Sequence, residues 1–236
     1  MIYTKLFSMI LIMNTILIFI TIILLVYFFV SFKTFNENTY VKSDIDNNNY
    51  LIRQSNSKGD EYLKTSANIL AEINKRITKL IDHLDTKYDN DVNKNFFIKK
   101  LKDNYNSNVL SEAAIDHRYT TYTIDKQDMH ICLRTRDNKE NIYDINLLMY
   151  VILHELAHLC NYNTNGIPIQ GHGEEFKYIF KLLVVESILL NIYTYVDYTT
   201  QPEEYCGIII SSTILPNYEY KFQINDNNWI NWINFS

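Results

Sequence analysis

Turn-forming residues are scarce in this chain: 236 residues include only five glycines and three prolines. Few tight turns are therefore signalled, and much of the chain is expected to be helical. Positive charge is not in surplus either. A formal net charge of −5 argues against a large general nucleic-acid surface, which needs an excess of lysine and arginine, although a local basic patch stays open. The three cysteines, Cys132, Cys160 and Cys206, are odd in number, far apart and form no C-x-x-C pair. Neither a zinc ribbon nor a thioredoxin-like motif is therefore present. They are read as reduced, small apolar residues, with a disulfide between two of them as the alternative in an oxidising compartment.

What is present begins with an apolar run. From Leu6 to Val30 no residue is charged, and Ile, Leu and Phe dominate. As a helix rising ~1.5 Å per residue, the run reaches roughly 37 Å, enough to cross a ~30 Å hydrocarbon core with some tilt. The exit, Val30-Ser31-Phe32-Lys33, offers no small-residue cleavage site of the signal-peptide kind. Residues 1–32 are thus expected to be a single transmembrane anchor, with 6–30 in the membrane. Lys5 on one side and Lys33, Lys42 and Arg53 on the other are too evenly balanced to set its orientation.

Residues 33–59 are polar and rich in Asn, Asp and Ser, and read as a linker. Asp60 is a candidate cap for a helix with Leu63, Ala67, Leu70, Ile73, Ile77, Leu80, Ile81 and Leu84 on one stripe. That stripe suits the domain's own core better than a coiled-coil seam between copies, because it lasts only about three heptads. A short helix is expected around Val92–Tyr105. Two β-branched, aromatic runs, Tyr119–Ile124 and Met129–Arg134, flank a turn at 125–128 and predict a hairpin whose edge suits an extended peptide. Ile208–Leu215 is a candidate buried strand or packed extended segment. The last twenty residues, 217–236, form an aromatic tail with Trp229, Trp232 and Phe235, and nothing in them selects a role.

The chemistry concentrates in His154-Glu155-Leu156-Ala157-His158, which follows the apolar run Leu147–Leu153. On a helix, positions i and i+4 share a face, so His154 and His158 can offer imidazole nitrogens to one point. Glu155 is rotated about 100° from His154, within reach of a metal-bound water without displacing a ligand. Asp144 or Asn146 can cap this helix, and Asn163–Pro168 ends it. A catalytic zinc takes three protein ligands and keeps one open position. His172, between Gly171 and Gly173, is the preferred third ligand, with Glu174, Glu175 and Glu186 as alternatives. His83, His117 and His130 lack the helical spacing that makes the first pair persuasive. Zinc lowers the pKa of its water from 15.7 towards ~7, and Glu155 carries the proton to the leaving amine. The carbonyl oxygen needs a second stabiliser, for which Tyr195, Tyr198 and Tyr205 are positional candidates.

H-E-L-A-H followed by Gly171-His172-Gly173-Glu174-Glu175-Phe176 resembles the SprT-like and WLM branch of zinc metallopeptidases, to which the Spartan proteases belong. The spacing is nearer the SprT-like members, and the likeness covers about Tyr119–Ile188. It implies an α+β, zincin-like core (helices plus a small sheet) over residues 60–216, behind one N-terminal transmembrane helix. It also implies Zn2+ held by His154, His158 and His172, Glu155 as base, and a protein or peptide substrate. Proteolysis of DNA-crosslinked proteins, the Spartan role, does not follow, because the anchor is extra and the zinc ribbon and basic extension are missing. Three functions are carried forward: a membrane-anchored metallopeptidase, a catalytically silent zinc-stabilised scaffold, and a crosslink protease.

Overall fold

The computed structural model describes residues 2–35, 38–55, 57–106, 108, 110–113, 121–124 and 128–216. The chain divides into two compact units, Met1–Thr39 and Tyr40–Ser236. The first is essentially one helix, α1 (Ile2–Phe35). Its segment Ile12–Phe29 has no buried side chain and is long and apolar enough to cross a membrane.

The second unit is mixed α and β. It runs through strands β1 (Asn38–Lys42) and β2 (Asn49–Arg53), then helices α2 (Asp60–Lys87) and α3 (Val92–Asn104). Strands β3 (Leu110–Glu112), β4 (Tyr122–Ile124) and β5 (Asp128–Ile131) follow, then helices α4 (Ile145–Cys160) and α5 (Glu174–Leu189). A hairpin of β6 (Glu203–Tyr205) and β7 (Ile208–Ile210) comes last. The central sheet has the order β3-β5-β4, with β3 parallel and β4 antiparallel to β5. The predicted hairpin is therefore real, but β5 lies in the middle of the sheet and β4 at its rim. Its turn at 125–127, like His117 and the tail 217–236, lies outside the described residues.

The helices follow their apolar stripes. In α2 the residues Ala67, Leu70, Ile73, Ile77, Leu80, Ile81 and Leu84 are all buried in the domain's own core, so the stripe is not a seam between copies. Gly59 rather than Asp60 occupies the N-cap; Asp60 and Glu61 sit in the first turn, where carboxylates favour the helix dipole.

Two expectations are corrected. The stretch 33–59 is not a linker throughout, because residues 38–53 form β1, β2 and their connection, and Tyr50, Ile52 and Arg53 are buried. The Asp/Asn run that suggested a loop is the turn between them. Asn47 takes φ 61° there, and the Asp46 carboxylate accepts from the Asn48 backbone N–H and the Tyr50 hydroxyl. The cysteines are not all reduced either, since Cys132 and Cys206 form a disulfide and Cys160 is a buried thiol outside it. A separation of 74 residues hides such a pair from inspection of spacing. By chain entropy alone, closing a loop of that size stabilises the fold by about 4–5 kcal/mol.

A buried ionic cluster joins three segments of the chain. Arg134 donates from Nε and a terminal nitrogen to the Glu112 carboxylate at 2.7 and 2.9 Å, and to the Arg53 carbonyl. Arg53 donates its backbone N–H to Glu112 at 3.0 Å and a terminal nitrogen to the Thr135 carbonyl at 3.1 Å. One carboxylate thus ties β2, β3 and the segment after β5 together. Replacing Glu112 by Ala leaves Arg53 without its ion-pair partner and Arg134 with only the Glu140 carboxylate at 3.8 Å, and is expected to cost about 3–5 kcal/mol. Urea unfolding of the domain without α1 measures it.

Candidate metal centre

Helix α4 is positioned by its cap and its burial. The Asp144 carboxylate accepts from the Asn146 and Leu147 N–H groups at 2.8 and 3.4 Å. Leu147, Leu148, Met149, Ile152, Leu153, Leu156, Ala157 and Leu159 are buried around nearly the whole circumference. The half-buried positions Val151, His154 and His158 fall on one stripe, where the helix opens toward the segment that leads into α5. That segment turns at Gly166 (φ 74°) and Gly171 (φ 82°) and presents His172. Positive φ is what calls for glycine at 171. A Cβ there or at Gly173 would meet nothing within 4 Å, so close backbone approach is not the reason.

The three imidazoles converge. Nε2 of His158 is 3.2 Å from Nε2 of His154 and 3.0 Å from that of His172, and the third side of the triangle is 3.1 Å. Each Nε2 presents either an N–H or a lone pair, so among three at least two must match. At least one contact therefore sets like against like. A cation at the centre removes the conflict, because all three then present lone pairs. A tetrahedral zinc with bonds of about 2.0–2.1 Å places its nitrogen ligands roughly 3.3 Å apart, close to this triangle. Among the described residues these histidines are the group that can hold a metal.

Phe176, in the first turn of α5, packs against all three rings, with centroids at 4.9 Å to His154, 4.3 Å to His158 and 4.8 Å to His172. Phe180 adds a contact to His154 at 5.3 Å. The sequence placed Phe176 in the motif, but its packing on all three ligand rings needed the structure. Burial, with the two neighbouring imidazoles adding, pushes His154 down to about 3, which keeps its lone pair free.

None of the other proposed ligands joins this group. Glu186 is fully buried on the α2 side of α5, where it accepts from Lys87, from the Tyr88 hydroxyl at 2.6 Å and faces His83 Nε2 at 2.8 Å. Glu174 is exposed and pairs with Lys177 at 2.7 Å, and Glu175 is exposed. His130 Nδ1 lies 2.8 Å from Ser111 Oγ within the sheet. Glu155 is buried on α4, beside the ligand stripe. Of the three tyrosines, Tyr195 donates its hydroxyl to the Leu215 carbonyl at 3.0 Å. Tyr198 is buried against Tyr150, with centroids at 4.9 Å. Tyr205 is buried with its hydroxyl on Thr121 Oγ1, near enough to Glu155 that the carboxylate helps to hold its pKa up, after burial itself.

The chain is 41% identical to the uncharacterized protein R325 of Acanthamoeba polyphaga mimivirus over 189 residues, which span 80% of this chain and 90% of that protein. It belongs to the same protein family as that mimivirus protein. Shorter similarities extend to invertebrate iridescent viruses. Uncharacterized protein 136R of virus 6 is 32% identical over 37% of this chain and 47% of its own length. Uncharacterized protein 042R of virus 3 is 33% identical over 36% of this chain and 50% of its own. No protein-family model matches the chain. No solved structure matches it.

The triangle makes two expected outcomes. His158→Ala or His172→Ala lowers zinc affinity by more than the roughly 10–100-fold that loss of an outer partner costs, read by competition with a chromogenic chelator. In the metal-free protein, the unfolded state takes a proton on His154 that the folded state refuses between about pH 6.5 and pH 3. Stability therefore rises with pH across that window and falls on acidification. His154→Phe is expected to flatten that slope in denaturation midpoints measured across it.

Proposed function

We propose that the chain is a zinc-dependent metalloendopeptidase of the SprT-like and WLM kind, with a zincin-like core, tethered to a membrane by α1. The observation that carries this reading is the Nε2 triangle of His154, His158 and His172, with Glu155 one residue along the same helix. Zinc bound there supplies Lewis acidity, lowering the pKa of a water towards ~7 and polarising a carbonyl. Glu155 accepts the proton from the attacking water and delivers it to the leaving amine. An extended substrate pairs with the rim strand β4, which packs on α4 and, among the described residues, pairs only with β5. The length and apolarity of Ile12–Phe29 support the tether.

With the purified protein and an unfolded protein substrate, Glu155→Gln is expected to lower kcat by about 10²–10⁴-fold while zinc content stays near one per chain. Undiminished cleavage by this variant contradicts the role given to Glu155. A wild-type protein that holds zinc and cleaves nothing is a scaffold instead.

A further inference from the structure

Three imidazoles and Phe176 form a four-ring cluster at the candidate metal centre. The imidazole centroids of His154, His158 and His172 stand 4.9, 4.9 and 4.8 Å apart, whereas their Nε2 atoms are 3.0–3.2 Å apart, so the rings point inward to a common centre. The Phe176 centroid is 4.9, 4.3 and 4.8 Å from the same three centroids. Those distances put it about 3.7 Å off the plane of the imidazole centroids and within about 0.6 Å of the axis through their middle, at ordinary ring-contact range. Phe176 therefore lies over the centre of the triangle and not over one histidine alone. The ring is held there. It is 2% exposed, in the first turn of α5, and Phe180 one turn later is 5.9 Å from it and itself 5.3 Å from both Tyr150 and His154. His172 is exposed on the segment before α5, and the Phe176 contact ties its ring to the buried side of the site.

We propose that Phe176 is a positioning residue that closes one face of the imidazole triangle, so that a metal held there keeps a single open position, on the face away from Phe176. This deepens the metallopeptidase reading and rests on its metal. Bonds of about 2.0–2.1 Å to nitrogens at these separations hold an ion roughly 1 Å off their plane, on one side or the other. On the Phe176 side, a water about 2 Å further along the axis would fall within the phenyl ring. On the opposite side the ring does not stand in its way. A catalytic zinc needs one such position, whereas a structural zinc has none. The phenyl ring offers no donor atom, so its effect is steric. It holds three imidazoles at one separation and keeps water from their back, the part that an apolar shell plays around a metal. Without the ring, a second water can reach the ion and raise its coordination number.

The test uses the full chain in detergent, loaded with cobalt(II) in place of zinc, because the visible bands of cobalt are strong in four-coordinate sites and weak in six-coordinate ones. The wild type is expected to give the strong, four-coordinate spectrum. Phe176→Ala is expected to weaken those bands and to lower zinc affinity about 10–100-fold, read with a chromogenic chelator. Phe176→Leu keeps most of the buried volume but cannot cover three rings, and is expected to lose about threefold or more in zinc affinity. It carries the test if the alanine variant does not fold. Phe97→Leu alters a buried ring of α3 that packs on Tyr178, and controls for general loosening of the core. It is expected to leave spectrum and affinity unchanged. Wild-type spectrum and affinity in Phe176→Ala overturn the proposal, as does wild-type affinity in folded Phe176→Leu, an equal loss in Phe97→Leu, or a six-coordinate spectrum in the wild type. A wild-type chain that binds metal and cleaves nothing removes the peptidase reading alone, and Phe176 is still judged by these spectra. A wild-type chain that binds neither metal overturns both.

Discussion

Helix α4 is apolar around almost its whole circumference, and in this domain such a helix is buried at the centre of the core. The other elements of the second unit are arranged to meet that demand: α3 and α5 pack on it, as do the strands β4 and β5. One stripe is left half open, the one carrying Val151, His154 and His158. The ligand pair is therefore placed by the burial of its neighbours. Glu155 lies beside that stripe and is itself buried.

The second constraint is the triangle itself. Three imidazole nitrogens at 3.0–3.2 Å cannot all be paired as donor and acceptor, and Phe176 packs against all three rings. The motif thus couples two requirements. Gly171 supplies the left-handed turn that brings His172 in, and Phe176, four residues later, supports all three rings. The proposed zinc is the group that reconciles such close packing with the chemistry of the nitrogens.

Much of this was legible because it repeats at short range. The i, i+4 histidines, the Asp144 cap and the α2 stripe all depend on neighbours within a turn or two. What was missed depends on distant parts of the chain. The disulfide joins residues 74 apart, and the ion cluster joins Arg53, Glu112 and Arg134 from three separate segments. β2 was hidden because Tyr50 and Ile52 sit in a stretch whose Asn and Asp residues dominate its composition. The choice among Glu174, Glu175, Glu186 and His172 was open in sequence for the same reason. Only the packing of α5 on α2 turns Glu186 toward His83, Lys87 and Tyr88.

Membership of the mimivirus protein's family, an N-terminal helix long and apolar enough to cross a membrane, a disulfide and a three-histidine group are the observed features, and the proposed function adds one ion among the histidines. The most direct test of that centre is anomalous X-ray diffraction at the zinc edge from crystals of the domain without α1. The account predicts one strong peak about 2 Å from the Nε2 atoms of His154, His158 and His172, with a fourth position free of protein ligands. No peak among the three rings, or a fourth protein ligand closing the site, would contradict it.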